Sequence, residues 1–154
     1  IPEADSPTVE HDGVWARVIA GECLGVTSSI DTVIPISLIH VKMEEGAVLN
    51  QTISSGLNGM IYVFRGSIRV NDQLSVRKQP MPFGIGIKQQ VSDGELALLS
   101  DGETVEITCD SPCDLLILAG PEIDEPIARY GPFVMNTREE IHQAVIDYQN
   151  GTFA

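Results

Sequence analysis

From Val14 onward the chain reads as short apolar runs, most of them alternating with polar residues and separated by Gly, Pro, Asn and Asp. That is the pattern of β-strands with one face in water. Strands are predicted over residues 14–20, 34–43, 60–64, 67–70, 84–88, 95–100, 104–108 and 114–119. Within them Ile68 and Val70 oppose Ser67 and Arg69, Leu96 and Leu98 oppose Glu95 and Ala97, and Val105 and Ile107 oppose Thr104, Glu106 and Thr108. Leu115-Leu116-Ile117-Leu118 is continuous instead, which predicts a strand covered on both sides. Strands of this length with Gly- and Pro-marked turns predict an all-β domain, a double-sheet jelly-roll barrel.

The period changes near the C-terminus. Ile141, Ala144, Val145 and Tyr148 share one stripe at helical spacing, and Thr137 with Glu140 three residues later makes a capping box. Gly151 stands where a left-handed helix cap is expected. Pro132 biases Gly131 towards extended backbone, so residues 131–137 predict a rigid extended arm entering the helix. At the other end Pro2, Pro7 and Gly13 lie among acids, and residues 1–13 read as a linker or surface arm. The chain thus divides into an arm (1–13), a barrel (14–135) and a terminal helix (136–151), with no internal repeat.

At 154 residues this is one domain by length, large enough for a core without disulfides. Nine Lys and Arg against 22 Asp and Glu leave a net charge of −13, which repels a phosphate backbone unless the cations cluster. The densest group, Arg65, Arg69, Arg77 and Lys78, alternates with apolar residues in strand-like sequence. Direct nucleic-acid binding is therefore not expected, and a basic protein fits better as a partner. No apolar run is long enough to span a bilayer, and the acidic start is unlike a signal peptide. Secretion and membrane association are not expected. The first residue, Ile1, is not an initiator Met, so a fragment or processed product is expected. Three cysteines, an odd number, suit reduced thiols in the cytoplasm or nucleus.

The run Gly131-Pro132-Phe133-Val134-Met135-Asn136-Thr137 follows Glu125-Pro126 and leads into a helix closing on Asp147-Tyr148 and Gly151. In this it resembles the C-terminal half of the pirin family. Two further segments, Arg17-Val18-Ile19-Ala20-Gly21-Glu22 with Gly25, and Tyr62-Val63-Phe64-Arg65-Gly66, match in the same order along nearly the whole chain. The resemblance implies a bicupin, two jelly-roll barrels in one chain, of which the length here leaves room for the second alone. It also implies an iron-containing protein of nucleus and cytoplasm that assists transcription factors by protein contact, with quercetinase-like dioxygenases among its relatives.

In that family the resemblance places iron in the N-terminal barrel, on histidines and a carboxylate, donors that suit divalent iron. Counting back from Tyr62-Val63-Phe64-Arg65-Gly66 puts Thr52 and Ser54 where two histidines would lie and Asn58 where the glutamate would lie. Laying Gly102 on the later motif puts Ile107 and Cys109 in its ligand positions. None of the five is a good iron ligand, and no histidine lies between His40 and His142. No metal and no cofactor are expected in this chain. His40, on a strand opposite the face of Ile39, Val41 and Met43, reads as a packed or surface imidazole. Cys109-Asp110-Ser111-Pro112-Cys113 reads as a turn flanked by two half-buried thiols, because zinc would need two more ligands.

These readings point to a non-catalytic cupin half that acts by packing and protein contact, against an N-terminal barrel of the same protein or a second copy. Pro126, Gly131, Pro132, Phe133 and Met135 are its interface candidates. Two alternatives stand beside it: the structural half of a quercetinase-like dioxygenase whose metal lies in another barrel, and a stand-alone homodimer.

Overall fold

Two long antiparallel strands organise the molecule. The computed structural model describes residues 6–70, 89–99 and 102–153. In chain order the elements are β1 (Thr8–His11), β2 (Val14–Ala20), β3 (Glu22–Cys23), β4 (Val26–Thr27), β5 (Ser37–Met43), β6 (Val48–Thr52), β7 (Asn58–Val70), β8 (Gln90–Ser92), β9 (Leu96–Leu98), β10 (Thr104–Gly120), β11 (Ala128–Tyr130), β12 (Phe133–Met135) and α1 (Arg138–Asn150). The chain forms two compact units, Ile1–Glu122 and Ile123–Ala154.

In the first unit β7 and β10 pair along nearly their whole length, from Ile107↔Val70 to Gly120↔Asn58. Each long strand holds a different short neighbour at each end. β10 pairs β6 through Thr104–Thr108 and β5 through Cys113–Ala119, while β7 pairs β8 at one end and β9 at the other. β2 and then β1 extend the β5 side. Leu49, Ile68 and Ile107 from one wing and Val18, Ile39, Ile61, Leu115 and Ile117 from the other join one buried cluster. The sheet therefore folds back on itself around one core, the two-layer arrangement of a cupin-type jelly roll.

The fold-back point lies where β7 crosses the bulged part of β10. Register shifts fall between Cys109 and Ser111, Ser111 and Asp114, and Asp114 and Leu115. Across from them Gly66 has φ +80°, and a Cβ there would stand 2.3 Å from the Pro112 carbonyl oxygen and 2.9 Å from Cys113 Cα. Glycine is thus required twice, by backbone conformation and by close approach. Ser67 Oγ meets Ser111 Oγ at 3.0 Å, and Arg69 holds Asp110 at 2.5 Å, which ties the bulge to β7. Cys109 and Cys113 are wholly buried inside it, with a thiol–thiol hydrogen bond at 3.5 Å. Burial pushes Cys113 up to about 12, helped by its contact with Cys109, and raises Cys109 too. Burial, with Glu22 beside it, takes Cys23 to about 11.

The second unit is a hairpin and a helix. β11 and β12 pair through Tyr130↔Phe133, leaving Gly131-Pro132 as a two-residue loop. Gly131 has φ +55°, the sign a type II′ turn needs at its first central residue. Phe133 then packs edge-on against Tyr148 (5.8 Å between centroids) and Phe153 (5.6 Å), fastening hairpin to helix. At the helix start Thr137 Oγ1 accepts from the Glu140 N–H at 3.2 Å, and the Glu140 carboxylate accepts from the Thr137 and Asn136 N–H groups. These bonds hold its pKa below the ordinary 4.5. Gly151, at φ +69°, caps the other end.

Several sequence expectations are corrected here. The segment read as an arm contains β1, an edge strand paired with β2 around the Asp12-Gly13 turn. Residues 60–64 and 67–70 belong to one strand, as do 104–108 and 114–119, because both interruptions are bulges inside a continuous ladder. The thiols expected at a half-buried turn are buried within β10. Strand β6 was not expected. In β9 the leucines face the outer side and Ala97 faces the core, since Leu96 pairs Tyr62 and Ala97 pairs the buried Ile61. The extended arm expected at 131–137 is a turn followed by β12. The strand predicted over 84–88 and the Arg77-Lys78 pair lie outside the described residues.

Three outcomes follow. Gly66→Ala is expected to destabilise the fold by about 2 kcal/mol or more, since it combines positive-φ strain with a clash, and chemical denaturation reads the loss. At neutral pH the three raised thiols stay protonated. Iodoacetamide should therefore label none in the native protein and all three in denaturant, with rapid native labelling counting against this burial. Thr137→Ala should weaken the terminal helix by about 1 kcal/mol. Because the folded Glu140 pKa is depressed, its share of the cap is full above pH 4.5 and is lost as the pH falls through the folded value, a loss that helix-resolved hydrogen exchange would detect.

Candidate functional site

A cavity of about 500 Å³ opens at one end of the barrel, between the β3–β4 hairpin and β6. The hairpin turns on Leu24 (φ 50°) and Gly25 (φ 76°), the two positive φ values of a type I′ turn. Along β6 the side chains alternate, with Leu49 and Gln51 buried and Val48, Asn50 and Thr52 exposed. Buried Gln51 is satisfied, its amide nitrogen donating to the Glu22 carbonyl at 2.8 Å and the Thr52 carbonyl at 2.9 Å.

The five residues that sequence counting puts in ligand positions do not come together. Thr52 and Ser54 line the cavity, and both are exposed. Asn58, also exposed, begins β7 and is not part of the cavity lining. Ile107 is fully buried in the core and pairs Leu49 and Val70, while Cys109 is bonded to Cys113 in the bulge. A hydroxyl pair at the rim, an amide elsewhere, a hydrocarbon and a protonated thiol do not fit iron. Among the described residues no cluster of three or more His, Cys, Asp or Glu could hold a metal ion.

The second concentration of chemistry lies on the outer face of the sheet, and sequence reasoning saw only His40. That ring sits between Trp15, edge-on at 5.4 Å, and Phe64 at 5.6 Å, and Tyr62 stacks beside Phe64 at 6.4 Å. Lys42 lies 5.0 Å and Arg17 5.8 Å from the Trp15 ring centroid. Asp114, 6% exposed, holds His40 Nε2 at 3.3 Å and Arg65 at 2.5 Å, so its buried charge is paired. Register explains the grouping. Leu116 pairs both His40 and Tyr62, Asp114 pairs both Lys42 and Arg65, and Arg17 pairs His40. A period-two reading of each strand could have found this set, but only with the pairing partners known.

The interface candidates lie in the hairpin–helix unit. Pro126, Gly131 and Pro132 are exposed, and Phe133 and Met135 are half-buried. The unit has its own groove, lined by Ile127, Arg129, Tyr130, Arg138, Ile141 and His142 among others. Among the described residues no helix is long and apolar enough to cross a membrane.

Comparisons with known proteins agree with this architecture. Residues 38–154 match the family model described as the Pirin C-terminal cupin domain. A Vibrio cholerae protein whose name assigns it provisionally to the quercetin 2,3-dioxygenases is 37% identical over 142 residues, covering 89% of this chain and 45% of its own. Pirin from Homo sapiens is 32% identical over 146 residues, covering 94% and 46%. A crystal structure of quercetin 2,3-dioxygenase from Acinetobacter baumannii superposes with a TM-score of 0.80 at 28% identity, over 100% of this chain and 49% of that one. The chain spans about half the length of the relatives it matches. It belongs to the pirin family, of which it carries the C-terminal cupin domain.

Proposed function

We propose that this chain is a non-catalytic cupin half whose work is packing and protein contact within a pirin-type protein. The observation that supports the reading is the dispersal of the residues that sequence counting puts in ligand positions. Thr52 and Ser54 sit at the cavity rim, whereas Ile107 and Cys109 are built into the core. Chemistry on a substrate needs converging groups held at a common point. The described part of the cavity offers hydroxyls, amides, the buried Cys23 thiol and one rim carboxylate, Glu22, instead.

On this reading iron belongs to the remaining half of the parent protein, and the contact role extends to transcription co-regulation in nucleus or cytoplasm, as the family resemblance implies. A second reading draws support from the relatives named as quercetin 2,3-dioxygenases. There the parent protein cleaves a flavonol in its other barrel, and this half supplies a wall and stability.

Both readings make the same demand of the isolated chain. Purified from iron-supplemented medium, it should contain far less than one iron per chain by elemental analysis and should leave quercetin unconsumed under oxygen. Stoichiometric iron, or quercetin cleavage by this chain alone, overturns the proposal. Quercetin cleavage that appears only after the N-terminal remainder of a relative is added favours the second reading over pure contact.

A further inference from the structure

We infer that the cavity between the β3–β4 hairpin and β6 is a binding site for a small uncharged polyol of the monosaccharide class, seated with one hydroxyl donating to Gln51 Oε1. The inference goes beyond the contact role proposed above and does not depend on it.

The first pointer is a single acceptor. Gln51 is 4% exposed and lines the cavity. Its amide nitrogen meets two backbone carbonyls, those of Glu22 and Thr52, and since a carbonyl takes only a donor, these neighbours fix which end of the amide is nitrogen. Oε1 therefore points away from both carbonyls, and among the described residues nothing donates to it. A group that brings a donor to it must come through the cavity.

The wall around that acceptor holds further unspent groups. Thr27 on β4, Ser37 on β5, Asn50 and Thr52 on β6 and Ser54 just beyond it line the cavity, and among the described residues none of these side chains makes a hydrogen bond. Leu24, Ile36 and Leu57 place hydrocarbon between them. Hydroxyls and amides that both donate and accept, interleaved with short apolar surfaces, suit a ring with hydroxyls on its rim and C–H groups on its faces. The volume of about 500 Å³ lies within the range of about 300–1,000 Å³ that small-molecule sites occupy.

Charge selects the class of ligand. No Lys, Arg or His is among the described residues that line the cavity, and Glu22 supplies its one carboxylate, because burial holds the Cys23 thiol up at about 11. On a chain of −13 such a wall disfavours carboxylated and phosphorylated sugars. The Glu22 side chain is exposed, so an ammonium group beside it would stay in water, where a single ion pair adds little. An uncharged polyol uses every group on the wall and brings no unpaired charge.

The test titrates the chain with glucose, galactose, mannose and myo-inositol, reading backbone and side-chain amides by nitrogen-15 NMR and affinity by calorimetry. At least one of the four should bind in the millimolar range and shift the Gln51 side-chain amide together with β4 and β6. Thr52→Val and Ser54→Ala should each weaken binding about fivefold, and Thr27→Trp, which fills the cavity, should abolish it. Thr8→Val, an exposed substitution on β1 away from the cavity, should leave it unchanged. Far-UV circular dichroism establishes that the variants fold, and the map of shifts on the wild type stands without them. Glucuronate should bind at least about tenfold more weakly than the best neutral sugar. The inference is overturned if none of the four shifts the spectrum at about 100 mM, if the shifts avoid Gln51 and β6, or if Thr27→Trp binds at full strength. Tighter binding of glucuronate, of glucosamine in its ammonium form or of quercetin would name another class of ligand and overturn it too. Conversion of the bound sugar to a new compound would support the site while removing the non-catalytic reading.

Discussion

Everything in the barrel depends on the contact between Gly66 and the Pro112–Cys113 backbone. β7 and β10 are long enough to serve both layers of a sandwich only if they bend, and a bend in two paired strands must happen at the same place in both. β10 bends by inserting extra residues between Cys109 and Asp114, and β7 answers with a glycine at φ +80° that lets the inserted backbone come within contact of its own. The wings built on either side of that point share one core because the spine turns there. The buried thiols fill the volume under the bulge, so they are packing elements whose protonated state follows from their surroundings.

The same bend sets the polar cluster on the outer face. Asp114 is the first residue after the inserted segment and pairs Arg65 directly before Gly66. Its carboxylate is buried at the edge of an aromatic patch, and two cationic or titratable partners reach it from β7 and β5. Breaking one partner would leave a buried charge short of compensation, which costs more than the pair contributes when whole. Core geometry and surface chemistry are therefore coupled through one turn of the chain.

The fold class, the terminal helix and its capping box could be read from the residues, because each rests on local rules: period two, period 3.6, and a Thr with a Glu three residues on. What escaped reading depended on partners far along the chain. β6 hides because its inward set includes Gln51, whose amide breaks the apolar alternation. β9 reads inside out because the apolar residues face the outer surface, and alternation alone cannot say which face is the core. Gly66 and Cys109–Cys113 look like ends of strands, although they are bulges within them. Gly131 was expected extended on the strength of Pro132, but a hairpin turn takes that glycine to positive φ. At the candidate site the aromatic and ionic cluster around His40 could not be read from the residues, since it is assembled from four strands whose pairing no single strand reveals.

One detail of the cavity has a wider reach than its size suggests. Gln51 occupies the inward position at the mouth and spends both amide protons on backbone carbonyls, one in its own strand region and one on β3. It works as a latch that joins the β3–β4 hairpin to the barrel wall. Any side chain at that position that cannot donate across the mouth would release the Glu22 carbonyl and free the hairpin from β6, so the shape of the cavity depends on one amide.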